Sequence, residues 1–131
     1  VITNPELKPD FRYNIKQHGG MLAKGRLLGI QFETLFEENL YFQIAKNANR
    51  LAEQIVEHFT RLQIPFTVTP QSNQLFVVLP DSLCEALKDK YVLEYQERFD
   101  ESHAVMRICT SWATTKEQVE AFLKDVEGTF R

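Results

Sequence analysis

The sequence predicts an α+β fold: long N-terminal helices followed by an antiparallel sheet covered by helices. Three observations point there. Residues 39–61 carry apolar side chains at spacings of three and four, the period of an amphipathic helix. Short runs rich in β-branched and aromatic residues follow, separated by turn-forming or helix-length segments. Their order is strand, strand, helix, strand, strand, helix, which suits an antiparallel sheet with helices on one face.

Taken in order, Asn4 followed by Pro5 is a helix-start signal, a side-chain cap before a proline in the first turn. Pro9 and Asp10 repeat it ahead of FRYNIKQHG, and Gly19 and Gly20 break that helix. From Met21 to Phe36 a helical pattern resumes through Leu22, Leu27, Leu28, Ile30, Phe32, Leu35 and Phe36. It is apolar around much of its circumference, which predicts burial. Gly25 and Gly29 lie four apart on one face and would admit a close neighbour. The next helix, about Asn39 to Arg61, sets Ile44, Ala48, Leu51, Ala52, Ile55, Phe59 and Leu62 against Lys46, Asn47, Arg50, Glu53 and Glu57. Its start contains ENLYFQ, which matches the recognition sequence of the tobacco etch virus protease. The match runs straight into an amphipathic helix with Ile44 after it, and reads as native sequence.

Pro65 marks the helix exit. Phe66–Thr69 and Gln74–Leu79 read as strands joined by the turn-rich PQSN. Pro80 and Asp81 open a short helix to about Lys88. Tyr91–Tyr95 is a strand, ERFDESH a polar connection, and Ala104–Thr110 another strand. Thr114 with Glu117 forms a capping box for a last helix to about Val126, with Gly128 as its stop.

At 131 residues, with 44% apolar and 25% charged content, the chain can bury a core without metal or disulfide staples. A formal net charge of −3 argues against a broad nucleic-acid face. Cys84 and Cys109 stand apart, as reduced core thiols of a cytoplasmic protein would. His18, His58 and His103 lack metal-ligand spacing. No apolar run approaches the ~20 residues of a membrane span, and no signal-peptide pattern is present. Val1, Ile2 and Thr3 resemble the end of a strand without an initiator methionine, so the expectation is a fragment or a processed chain.

Arg107 is the most informative residue. It sits among Val105, Ile108 and Trp112, and an uncompensated buried charge costs about 3–5 kcal/mol, so an anion should meet it. Strand alternation puts residues 105, 107 and 109 on one face and 106, 108 and 110 on the other. Both sets contain apolar residues, which predicts a central strand covered on both sides. The anion could be a ligand carboxylate, with Thr110 and Ser111 adding hydrogen bonds, or an acid of a neighbouring strand such as Glu94. Trp112 reads as core. Lys16, Lys24 and Arg26 surround Gly19 and Gly20, and suit either a phosphate or a solvated helix face. No nucleophile–base pair, P-loop, dinucleotide fingerprint or HExxH appears, so no catalytic residue is assigned in this chain.

The stretches FRYNIKQHGGMLAKGRLLGIQFETLFEENLYFQIAKNANRLAEQI and VMRICTSWATTKEQVE resemble the C-terminal part of threonine aldolase-like β-eliminating lyases. These are pyridoxal-phosphate enzymes of the aspartate aminotransferase fold. The resemblance covers nearly the whole chain. It implies that residues 1–38 are the tail of the large domain with connecting interface helices, and that residues 39–131 are the small α+β domain. It implies a parent that cleaves β-hydroxy-α-amino acids, such as threonine or allo-threonine, to glycine and an aldehyde. Arg107 would hold the substrate α-carboxylate. Lys24, then Arg26, would contact the phosphate of pyridoxal 5'-phosphate. The Schiff-base lysine would lie outside this chain, leaving it inactive alone, and the parent would be a homo-oligomer. Two alternatives stay open: an aminotransferase or β-lyase of the same fold, and a stand-alone domain that binds a carboxylate without cofactor.

Overall fold

The structure is a computed structural model and describes residues 4–130. The strand end read at Val1–Thr3 lies outside the described residues. The chain divides into two compact units, Val1–Leu40 and Tyr41–Arg131.

The first unit is built of short helices. Asn4 accepts a hydrogen bond from the Glu6 backbone N–H (3.0 Å) and starts one 3-10 turn, Pro5–Leu7. Helix α1, Phe11–Gln17, begins after Asp10, which has φ 55° and makes no side-chain cap. Its stop is a full C-terminal motif. Gly19 takes φ 71°, its N–H donates to the Lys16 carbonyl (3.2 Å), and the Gly20 N–H donates to the Ile15 carbonyl (2.8 Å). Helix α2 spans Arg26–Phe36, shorter than the pattern from Met21 predicts. None of its residues is buried, which corrects the expectation of a well-buried helix. Apolar circumference is a demand for cover, and a unit of this size has too little chain to enclose a core of its own. Gly29 likewise faces open space, since an added Cβ there would meet nothing within 4 Å among the described residues. After α2 the backbone turns through Glu38 (φ 49°) and Asn39 (φ 61°).

In the second unit, helix α3 runs Leu40–Arg61, as its periodicity predicts. It buries Ala48, Leu51, Ala52, Ile55 and Phe59. The sheet has three antiparallel strands, β1 (Gln74–Pro80), β2 (Glu94–Arg98) and β3 (His103–Cys109), in the order β1-β3-β2. Helices α4 (Asp81–Leu87) and α5 (Lys116–Phe130) complete the unit. One face of the sheet, Leu75, Val77 and Leu79 with Ala104, Met106 and Ile108, joins the helices in a single core. Phe59 is its centre, with ring centroids 6.3 Å from Phe66 and 6.1 Å from Phe122; Tyr91 meets Phe122 edge-on at 4.9 Å.

Several local expectations shift. Phe66–Thr69 is not a strand: Phe66 makes one isolated bridge to Val77, because Pro65 and Pro70 confine the run to four residues. Tyr91 is tied to α4 by its N–H on the Leu87 carbonyl (2.9 Å), so β2 starts only at Glu94. The box that opens α5 is Thr115 with Gln118, each side chain bonding the other's backbone N–H (3.3 and 2.9 Å). Thr114 instead accepts from the Ser111 N–H (2.8 Å) and closes the preceding turn. Gly128 does not stop α5. A helical glycine costs about 1 kcal/mol against alanine, too little to end a packed helix. Cys109 and Trp112 are exposed rather than core, Trp112 at 72%. Cys109 is the last residue of β3, paired with Gln74 but beyond the last β2 partner, and Trp112 lies past the strand.

Candidate functional site

β3 is the central strand, as expected, but helices cover only the face of Ala104, Met106 and Ile108, and the second face, where Arg107 is half-buried and Cys109 exposed, is partly open rather than covered. The face away from the helices carries Val105, Arg107 and Cys109, with Phe76 and Val78 beside them on β1. Val78 and Val105 are buried, whereas the Arg107 and Glu94 side chains keep 31% and 59% of their surface. Apolar neighbours thus hold the stem of Arg107 while its head reaches partly open surface.

Glu94 on β2 stands directly opposite Arg107 in the ladder and its Oε2 accepts from Arg107 Nη2. Of the anions foreseen for Arg107, this is the internal one. The bond and the carboxylate charge push the guanidinium pKa further up, so Arg107 is permanently cationic. Arg107 Nε is buried without a hydrogen-bond partner among the described residues. The guanidinium therefore retains unused donor capacity beside the one acid it holds.

The end of the strand is fixed from the other face. Thr110 is buried, its Oγ1 donates to the Ala48 carbonyl of α3 (2.7 Å), and its backbone exchanges bonds with Asn73. Its N–H donates to the Asn73 carbonyl (3.1 Å), and Asn73 Nδ2 donates to its carbonyl (2.6 Å). Thr110 therefore cannot serve an anion on Arg107. Ser111 Oγ lies 3.3 Å from Thr114 Oγ1 and accepts from the Ala113 N–H (3.2 Å). Asn73 is the contributor that sequence reasoning missed, since within PQSN it signals only a turn.

Lys24 and Arg26 belong to the first unit and Arg107 to the second. Lys24 lies in the turn before α2 and Arg26 is the first residue of that helix; both are exposed, with no ion pair among the described residues. Gly25 caps α2 without a side-chain bond, and the Gly25, Leu27 and Leu28 N–H groups already donate to the Leu22, Lys24 and Gly25 carbonyls, so the two exposed cations are the groups left for a ligand. Those two side chains fit a phosphate in charge. A cleft of about 380 Å³ in the second unit lies between the 90–93 segment and α5, lined by Tyr91, Val92, Ile108, Thr114 and Phe122. It is mainly apolar and excludes Arg107.

No helix among the described residues is long and apolar enough to cross a membrane. No family model matches the chain. A low-specificity L-threonine aldolase of Pseudomonas aeruginosa is 27% identical over 126 residues, covering 94% of this chain and 35% of that protein. The solved threonine aldolase of Leishmania major superposes with a TM-score of 0.92 at 34% identity, over 99% of this chain and 38% of that one. The chain thus spans little more than a third of the length of either relative. In sequence and in fold alike, it is similar to the C-terminal part of threonine aldolases.

Proposed function

We propose that this chain is the carboxylate-binding small domain, with adjoining interface helices, of a pyridoxal-phosphate-dependent aldehyde-lyase that cleaves threonine or allo-threonine to glycine and an aldehyde. The observation that carries the reading is Arg107: a partly exposed guanidinium on the central strand, held by packed neighbours, with an unpartnered Nε. The likeness to two threonine aldolases over nearly the whole chain supports the reaction class.

When bound, the cofactor supplies an electron sink for the pair released as the Cα–Cβ bond breaks. The work of this chain is positional. A side-on guanidinium–carboxylate pair fixes two oxygens at once and so restricts rotation of the amino acid about Cα. Lys24, with Arg26 behind it, would neutralise the cofactor phosphate. The Schiff-base lysine is assigned to none of these residues, and the isolated chain is expected to be inactive. The whole protein is expected to be a cytoplasmic homo-oligomer.

The test uses the whole protein loaded with cofactor. Glycine and aldehyde should form from L-threonine or L-allo-threonine. Arg107→Lys keeps the charge and loses the planar fork, so KM should rise about 10- to 100-fold, the equivalent of one charge-assisted bond of about 1.5–3 kcal/mol. The visible absorbance of the bound cofactor should be unchanged. Amino-group exchange without aldehyde release would indicate an aminotransferase instead. Carboxylate binding by a protein that never takes up cofactor would leave only a binding domain.

A further inference from the structure

The carboxylate clamp already holds a carboxylate. Nε–H and Nη2–H lie on the same edge of a guanidinium and point the same way, forming the side-on fork that matches the two oxygens of one carboxylate. Glu94 engages only Nη2, and Nε is buried without a partner among the described residues. Glu94 therefore fills half of the fork. It does so by its place in the ladder: Glu94 and Arg107 are register partners, and a bulge between Tyr95 and Glu97 follows at once. Glu97, the next acid along the strand, stands opposite Val105 instead.

A buried unpaired donor beside a half-used fork is an unfavourable resting arrangement, and one bidentate carboxylate would relieve it. We propose that Glu94 is an internal competitor for the Arg107 site. It holds the guanidinium against the sheet while no ligand is bound, and it must release Nη2 for an incoming carboxylate to take both donors. Glu94 is thus an affinity-setting residue that lowers occupancy by simple carboxylates, so that a productive ligand must add binding energy from elsewhere. This inference rests on the reading of Arg107 as the carboxylate site.

Acetate is the probe, titrated into the 131-residue chain at constant ionic strength. Backbone amide shifts of residues 94 and 105–109 are followed by NMR in the parent sequence and in Glu94→Gln, Glu94→Ala and Arg107→Gln. Removing the competing charge should tighten acetate binding about two- to fivefold in both Glu94 variants, the strength of a partly exposed ion pair. Arg107→Gln should abolish the response. Equal or weaker binding in both Glu94 variants, or none, overturns the competitor role. If Arg107→Gln still abolishes the response in that case, the carboxylate reading survives. Undiminished binding in Arg107→Gln overturns the carboxylate reading itself.

Discussion

Thr110 decides which way Arg107 faces. Its hydroxyl is spent on the Ala48 carbonyl and its backbone on Asn73, so the residue that follows β3 is pinned to α3 and to the residue that precedes β1. Three residues back, alternation then sends Arg107 to the opposite face. Thr110→Val keeps the shape and removes the donor. The Ala48 carbonyl lies within α3, so only the extra bond is lost. The expected cost is about 0.5–1.5 kcal/mol, read as a lowered urea midpoint with an unchanged slope. Alternation, legible in the sequence, separates Thr110 from the arginine once residue 110 is counted with 106 and 108. Asn73 was not legible. Its partner is 37 positions away, and nothing local in PQSN marks it for that role.

At the scale of elements, periodicity is a statement about demand for cover. In α3 the demand is met: Leu51 is fully buried within a core shared with β1, β3 and α5. In α2 an equally apolar pattern leaves Leu27 65% exposed. Leu51→Ala should therefore cost about 2–5 kcal/mol, through lost burial and the cavity left behind. Leu27→Ala should stay within about 0.5 kcal/mol in this chain. Chemical denaturation of the two variants side by side checks the contrast, and a large loss from Leu27→Ala would show that α2 is covered after all. The same contrast explains what the sequence made legible. Helix α3, β1, β3 and α4 were readable because their patterns matched the cover they received. The start of β2 moved from Tyr91 to Glu94 because a local backbone bond to Leu87, with the Tyr91 ring packed on Phe122, overrode β propensity. The start of α5 moved by one residue because adjacent threonines compete for the same cap, and only bond geometry separates them.

For the molecule as a whole, the seams of the second unit depend on carboxylates. Asp125 of α5 receives Lys90 Nζ (3.0 Å) and the Tyr91 hydroxyl (2.9 Å), tying the segment before β2 to the last helix. Those bonds, the lysine first, pull its pKa below the usual carboxylate range. Asp100 accepts from the Ser102 and His103 backbone N–H groups (2.8 Å each) and closes the β2–β3 connection, with the Ser102 bond the main cause of its lowered pKa. Glu117 is lowered by its own backbone N–H at the start of α5, then by Thr115. A carboxyl whose pKa is lower folded than unfolded adds stability above the unfolded value, about 4. That stability is lost as pH falls through the lower folded value. The unfolded chain then binds more protons than the native one, so stability declines on acidification. Urea midpoints should thus hold near neutrality and drop below about pH 4. Asp125→Asn cannot titrate at this position, so it should start from a lower midpoint and lose less of it on acidification. An equally steep acid loss in Asp125→Asn would place the acid sensitivity elsewhere. Because the Phe59 cluster carries no charge, the acid-loosened unit should keep its helices while the Lys90–Tyr91 segment separates from α5. Far-UV circular dichroism persisting after the near-UV aromatic signal has collapsed would be the signature.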